Sequence, residues 1–281
     1  MAGVPAARRA ALVTRLARAA LAAPAGNILG LIVAIHAGQC TYPNLTISDV
    51  IRASPGLNVV AAGWTVFAAC FSLLSYIQHE MLTIAAQIVG DKLLDRWLEL
   101  RRYVAIALLL LMSLIHLCPL QPAAPSLLRD AVHFGTAGAY AGCGVLEAYL
   151  LVRCIEPTLR EQGLLVSNDG EWLRKLCLYL SPGWVVVAVL GGVGMACKVD
   201  ELMGLAAALE FSIITIYGCY PLALPGIVCD LERQLEARAV PAPFAHADSV
   251  APRGSTRRGG RSPSRRRGSV QQHSPRQAQT F

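Results

Sequence analysis

The sequence predicts an all-α integral membrane protein, a bundle of six transmembrane helices followed by a disordered basic C-terminal tail. Three observations carry that expectation. Hydrophobic residues make up 54% of the chain and charged residues 15%, whereas a soluble domain carries about 25% charged residues. The apolar residues fall in blocks of about 20, the length a helix needs to cross a hydrocarbon core of roughly 30 Å. They do not alternate as a half-buried strand would. Backbone inside lipid must also satisfy its own hydrogen bonds, which makes such blocks helices.

The first 18 residues form a basic leader with Arg8, Arg9, Arg15 and Arg18. The first 48 residues hold no acid and many Ala and Arg, as a mitochondrial transit peptide does. A transit peptide and a cleaved secretory signal are the alternatives to an uncleaved first helix. The six spans are expected at 19–37, 57–78, 103–118, 131–152, 175–197 and 203–228, within a membrane domain covering 19–232. Between the second and third spans, residues 81–102 alternate Leu93, Leu94, Trp97, Leu98 and Leu100 with Asp91, Lys92, Asp95, Arg96 and Glu99. That pattern suits an amphipathic helix lying on the membrane surface; the alternative is a cytoplasmic extension of the second span. Residues 233–281 form the tail. From Val240 onward it is Pro, Ser, Arg, Gln and Gly, which cannot bury an apolar core.

Orientation follows from lysine and arginine, which cytoplasmic loops hold in excess. With both termini in the cytoplasm, that side holds 22 of the 25 basic residues, and only Arg52, Arg129 and Lys198 fall outside. The net charge of +7 belongs to the tail, where eight arginines follow from Arg253 with no acid. It does not point to nucleic acid. Arg257, Arg258, Arg261, Arg265, Arg266 and Arg267 surround Ser262, Ser264 and Ser269. Such a segment attracts the anionic inner leaflet, and phosphorylation at Ser262 and Ser269 would offset the charge.

Several side chains are candidates for chemistry. Glu210 and Glu147 are acids inside apolar spans, where a charge costs a few kcal/mol and usually faces the bundle interior. His133, His36 and His116 fall at one expected depth, at the outer ends of spans, without the spacing of a metal site. The cysteines sort into an outer group (Cys40, Cys118, Cys197), a mid-membrane group (Cys70, Cys143, Cys219) and an inner group (Cys154, Cys177, Cys229). An outer pair would be placed for a disulfide in an oxidising lumen, and inner ones for palmitoylation. Asn44-Leu45-Thr46 is a glycosylation sequon. Gly26 with Gly30, and Gly138 with Gly142, are GxxxG pairs that permit close helix packing. No phosphate loop, dinucleotide fingerprint or catalytic triad signature is present, so no catalytic residue, metal or cofactor is expected.

Three segments carry a resemblance. The first reads Thr46-Ile47-Ser48-Asp49 with Pro55 following. The second is Val132-His133-Phe134-Gly135 continued by Cys143-Gly144-Val145. The third is Glu210-Phe211 after Ala206-Ala207-Ala208-Leu209, then Tyr217, Tyr220 and Asp230-Leu231-Glu232. Together these segments resemble the damage-regulated autophagy modulator (DRAM) family. Its wider superfamily includes a phosphoinositide-pathway protein and GPI-anchor lipid-remodelling proteins. Ile51 stands where a glycine is usual, and Pro43 is the nearest proline before the motif.

The resemblance implies a six-helix bundle with cytoplasmic ends, active in autophagy or lipid homeostasis. It would reside in the lysosome, Golgi, ER or plasma membrane; the leader's composition makes the mitochondrion the minor alternative. Ser48, Asp49 and Pro55 would form the family-like outer loop. Membrane lipids are the expected partners, together with protein partners whose identity the sequence does not give. A non-enzymatic regulator or scaffold is the first reading; a lipid-remodelling factor and a small transporter are the alternatives.

Overall fold

The computed structural model of the chain describes residues 6–43, 45–117 and 127–239, and among these it contains helices, turns and no strand. The N-terminal helix α1 (Ala6–Ala19) gives way at Leu21 to α2 (Ala22–His36). Pro24 sits in the first turn of α2, where the missing N–H costs no hydrogen bond. Val13 and Ala17 on α1, and Ala20 just after it, are buried. The basic leader is thus a packed helix, lying against the far half of the molecule's longest helix and against the last one.

After α2 the chain makes one short helical turn, α3 (Ile47–Val50), and enters α4 (Gly56–Val89). The 34 residues of α4 extend for about 51 Å at 1.5 Å per residue, well beyond a hydrocarbon core. Gly90 stops it in the left-handed conformation at φ +70°, which glycine adopts without steric cost. The next helix, α5 (Lys92–Leu117), runs unbroken through the expected boundary at residue 102. Residues 81–102 are therefore not a separate surface helix. They are the end of one long helix and the start of another. Leu94 and Leu98 are buried in the protein core, whereas Leu93 and Leu100 are exposed, so only part of the amphipathic stripe is turned towards protein.

The helix α6 (Leu127–Tyr149) continues through one π-helical turn at Leu150–Ile155 into α7 (Glu156–Glu161). The expected fifth span is divided by Pro182 into α8 (Glu171–Tyr179) and α9 (Gly183–Cys197). The expected sixth is divided at Pro221: α10 (Asp200–Gly218), a 3₁₀ turn at Tyr220–Ala223, and α11 (Leu224–Ala239). Both breaks follow from a proline's missing N–H and its clash with the preceding turn.

Helices pack mainly as neighbouring pairs, α2 on α4, α5 on α6 and α9 on α10. The first pair is held close by glycine. A Cβ added at Gly63 would lie 2.3 Å from the Ala22 carbonyl oxygen, and one at Gly30 would lie 2.5 Å from a Val60 methyl. The Gly26/Gly30 pair therefore packs as expected. Gly138 and Gly142 do not, since nothing lies within 4 Å of either added Cβ.

Five helical stretches among the described residues are long and apolar enough to cross a membrane: Arg8–His36, Gly56–Val89, Ala131–Glu161, Glu171–Cys197 and Asp200–Gly218. Residues 103–117 of the third expected span lie within α5, which is not one of these five. Large apolar side chains on the helix surfaces point outward. Leu110 is 62% exposed, and Leu29, Ile88 and Val186 are each about half exposed. Exposed apolar side chains on helices of this length suit contact with a membrane. Asn44, Cys118, Ser262 and Ser269 lie outside the described residues, as does the tail from Val240.

Candidate functional site

The segment joining α2 to α4 is built by its own polar side chains. Thr46 and Asp49 form a reciprocal capping box: the Asp49 N–H donates to Thr46 Oγ1 at 3.0 Å, and Asp49 Oδ2 accepts from the Thr46 N–H at 3.0 Å. Asp49 Oδ1 pairs with Arg52 Nη2 at 2.7 Å. Gln39 ties both ends of the segment together, donating to the Val50 carbonyl at 2.7 Å and accepting from the Gly56 N–H at 3.2 Å. This fixed turn presents Ser48 to the start of α6, where Ser48 Oγ and His133 Nε2 are 3.0 Å apart. From α10, the Glu210 carboxylate approaches the backbone N–H groups of Ile47 and Ser48.

These groups form the polar end of a cavity of about 1190 Å³. Its walls come from α6, α9 and α10, and Gly138 and Gly142 contribute open space where larger side chains would fill it. Trp64, Tyr140 and Trp184 also line it. This volume is above the roughly 300–1,000 Å³ of an ordinary small-molecule site. Predominantly apolar walls with one cluster of convergent polar groups are the pattern of a ligand site.

Glu147 is not part of this cluster. It borders a separate void of about 40 Å³ together with Tyr217 and Tyr220. Its Oε1 accepts from Arg101 Nη2 at 2.6 Å, and the same nitrogen donates to Gln78 Oε1 at 2.6 Å. All three side chains are almost fully buried. The two voids share Trp64, Met112, Tyr140, Ala141, Trp184 and Ile214 as lining, so Glu147 lies beyond the aromatic floor of the large cavity.

A second buried ion pair joins α7 and α8. Arg174, fully buried, donates from Nε to Glu156 Oε1 at 2.5 Å and from Nη2 to Oε2 at 3.1 Å. It also donates to the carbonyls of Asp169 and Ala223. Asp230 accepts the N–H groups of Val166 and Ser167 at 2.5 and 2.7 Å, and Glu232 meets Arg9 of α1 at 3.3 Å. Burial raises the Glu232 carboxyl above its ordinary range, and the Arg9 charge opposes that shift. The Asp230-Leu231-Glu232 motif thus anchors a loop and the N-terminal helix, far from the cavity's polar end.

The sequence candidates therefore separate. Ser48, Asp49, His133 and Glu210 come together; Glu147 is elsewhere. Pro55 stands at the start of α4 and does not line the cavity. His36 is exposed, and the His116 side chain lies outside the described residues. Sequence reasoning missed Gln39, Arg52 and the Arg174–Glu156 pair. The eight described cysteines are free thiols, with Cys40 and Cys197 unlinked. Burial raises the Cys40 thiol, and Asp49 adds to the shift. Among the described residues no group of three His, Cys, Asp or Glu side chains is placed to hold a metal ion.

The fold and site define a helical protein with helices long and apolar enough to cross a membrane and, among the described residues, a large cavity with a polar end. No family model, no curated protein and no solved structure matches the chain.

Proposed function

We propose that this chain is a six-span membrane protein, with both termini in the cytoplasm, that organises membrane lipids by holding one in its large cavity. The observation that carries the reading is the cavity itself: about 1190 Å³, apolar along α6, α9 and α10, and polar at one end. An amphiphile matches that division. Its acyl part lies against the apolar walls, and its headgroup meets Asp49, Arg52, His133 and Glu210 at the outer-leaflet side. The resemblance to the DRAM family supports the same direction, because Ser48, Asp49, His133 and Glu210 are the motif residues that converge there. On this reading the protein is a regulator of lipid homeostasis or autophagy in an endomembrane or the plasma membrane.

The test is the lipid content of the purified protein. Gly138→Leu with Gly142→Leu projects two large side chains into the cavity, at positions where an added Cβ meets open space. The wild-type protein in mild detergent retains a stoichiometric lipid through washing, and the filled variant loses it. Equal lipid content in the two proteins contradicts the proposal.

A further inference from the structure

The polar end of the cavity contains a nucleophile and a base in contact. Ser48 Oγ and His133 Nε2 are 3.0 Å apart, and both residues line the cavity. A serine hydroxyl is a weak nucleophile until an adjacent base takes its proton. A general base must lie within hydrogen-bond reach of that proton, about 2.6–3.2 Å, and this pair meets the requirement. Neither partner is loosely held. His133 is 1% exposed, and Phe134 meets its ring edge-on at 5.6 Å. Ser48 sits inside the Thr46–Asp49 capping box, beside the Glu210 carboxylate.

On the same wall stands Arg52. Asp49 fixes its Nη2 at 2.7 Å. A fixed cation on the cavity lining supplies positive potential for the negative charge that develops on a carbonyl oxygen during acyl transfer.

We propose that Ser48 is the nucleophile and His133 the general base of an acyl-transfer centre acting on the carboxylic ester of a membrane lipid. This rests on the reading that a lipid occupies the cavity. His133 carries its proton on Nδ1, so Nε2 accepts from the Ser48 hydroxyl. Ser48 Oγ attacks the ester carbonyl carbon as its proton passes to Nε2. The carbonyl π pair moves to oxygen, where Arg52 supplies positive charge. Collapse breaks the bond to the alcohol oxygen, which takes the proton from His133 and leaves as a lysolipid. The acyl chain remains on Ser48 as an ester. Water, or the hydroxyl of a second lipid, then gives a proton to His133 and attacks that ester. It releases a fatty acid or an acylated acceptor and restores Ser48. Nothing is oxidised or reduced.

The experiment uses the full chain in nanodiscs of phosphatidylcholine, with an alkyl fluorophosphonate as the probe. The probe reacts by the same step, with fluoride leaving as Ser48 Oγ bonds to phosphorus. A photoactivatable phosphatidylcholine in a parallel sample reports lipid occupancy. The proposal expects one adduct on the wild-type protein, mapped to the peptide containing Ser48. Ser48→Ala should give none, and His133→Gln should slow labelling by roughly 100-fold or more, with lipid crosslinking intact in both. Mapping on the wild-type protein decides the case whether or not a variant folds. An unlabelled Ser48 in a protein that crosslinks lipid inside the cavity overturns the acyl-transfer centre and leaves the lipid reading standing. Absence of both labelling and crosslinking overturns both.

Discussion

Removing the Glu147 carboxylate leaves Arg101 charged, buried and short of its main partner. Arg101 is 3% exposed and Glu147 1%. Breaking a buried ion pair from one side costs about 3–5 kcal/mol, because the remaining charge has no solvent and no counter-charge. Gln78 Oε1 still accepts from Arg101 Nη2 at 2.6 Å, which places Glu147→Ala at about 3 kcal/mol, the lower end of that range. At roughly 2–4 °C per kcal/mol for a chain of 150–250 residues, Tm falls by roughly 6–12 °C. Removing both charges gives the opposite expectation. Arg101→Met with Glu147→Leu replaces the pair by apolar groups, a change that is often neutral or stabilising. The assay is thermal unfolding of the purified protein in detergent, run as a double-mutant cycle with each single variant and the pair. The reasoning fails if Glu147→Ala shifts Tm by less than about 2 °C, the equivalent of about 1 kcal/mol or less. It fails equally if the double variant loses as much as the two single variants combined.

Three further outcomes follow from other parts of the molecule. Gly63→Ala forces a Cβ against the Ala22 backbone and costs about 1–3 kcal/mol, whereas Gly138→Ala, in open space, leaves Tm unchanged; comparative melting in one detergent separates them. Glu210→Gln retains an oxygen acceptor for the N–H groups of Ile47 and Ser48 and accumulates like the wild type, while Glu210→Ala frees the turn. Protease nicking within residues 38–55 should rise only in the alanine variant. A synthetic peptide of residues 250–281 should bind anionic vesicles and ignore neutral ones, at roughly 1 kcal/mol per basic residue near the surface. Phosphorylation at Ser262 and Ser269 should weaken that binding, measured by vesicle sedimentation.

Hydropathy alone makes the positions of the helices legible, because lipid requires long apolar runs whatever the fold. Local signals locate their breaks too: Gly90, Pro182 and Pro221 each mark one. The 81–102 segment is misleading because an amphipathic stripe looks the same whether its apolar side meets lipid or protein. Here Leu94 and Leu98 meet protein, while Leu93 and Leu100 stay exposed. At the site, Glu210 and His133 stand out because a polar group in an apolar span is costly and needs a reason. Arg174 gave no such signal. It sits among other basic residues near a span end and reads as one more topology charge. Its partner Glu156 lies 18 residues away, a pairing that only the fold supplies. The glycines divide in the same manner. Gly26, Gly30, Gly138 and Gly142 have identical spacing within each pair, yet the first pair packs against α4 and the second opens a cavity.

The central claim is that a membrane lipid occupies the cavity between α6, α9 and α10. Peptide mapping of a phosphatidylcholine with a diazirine near the end of its acyl chain, crosslinked to the protein in nanodiscs, tests it most directly. The account predicts adducts on cavity-lining positions such as Gly138, Ala188 and Ala206, competed away by unlabelled lipid and lost when leucines fill Gly138 and Gly142. Adducts confined to outward-facing positions such as Leu110 and Val186, unchanged by the filling substitutions, would contradict it.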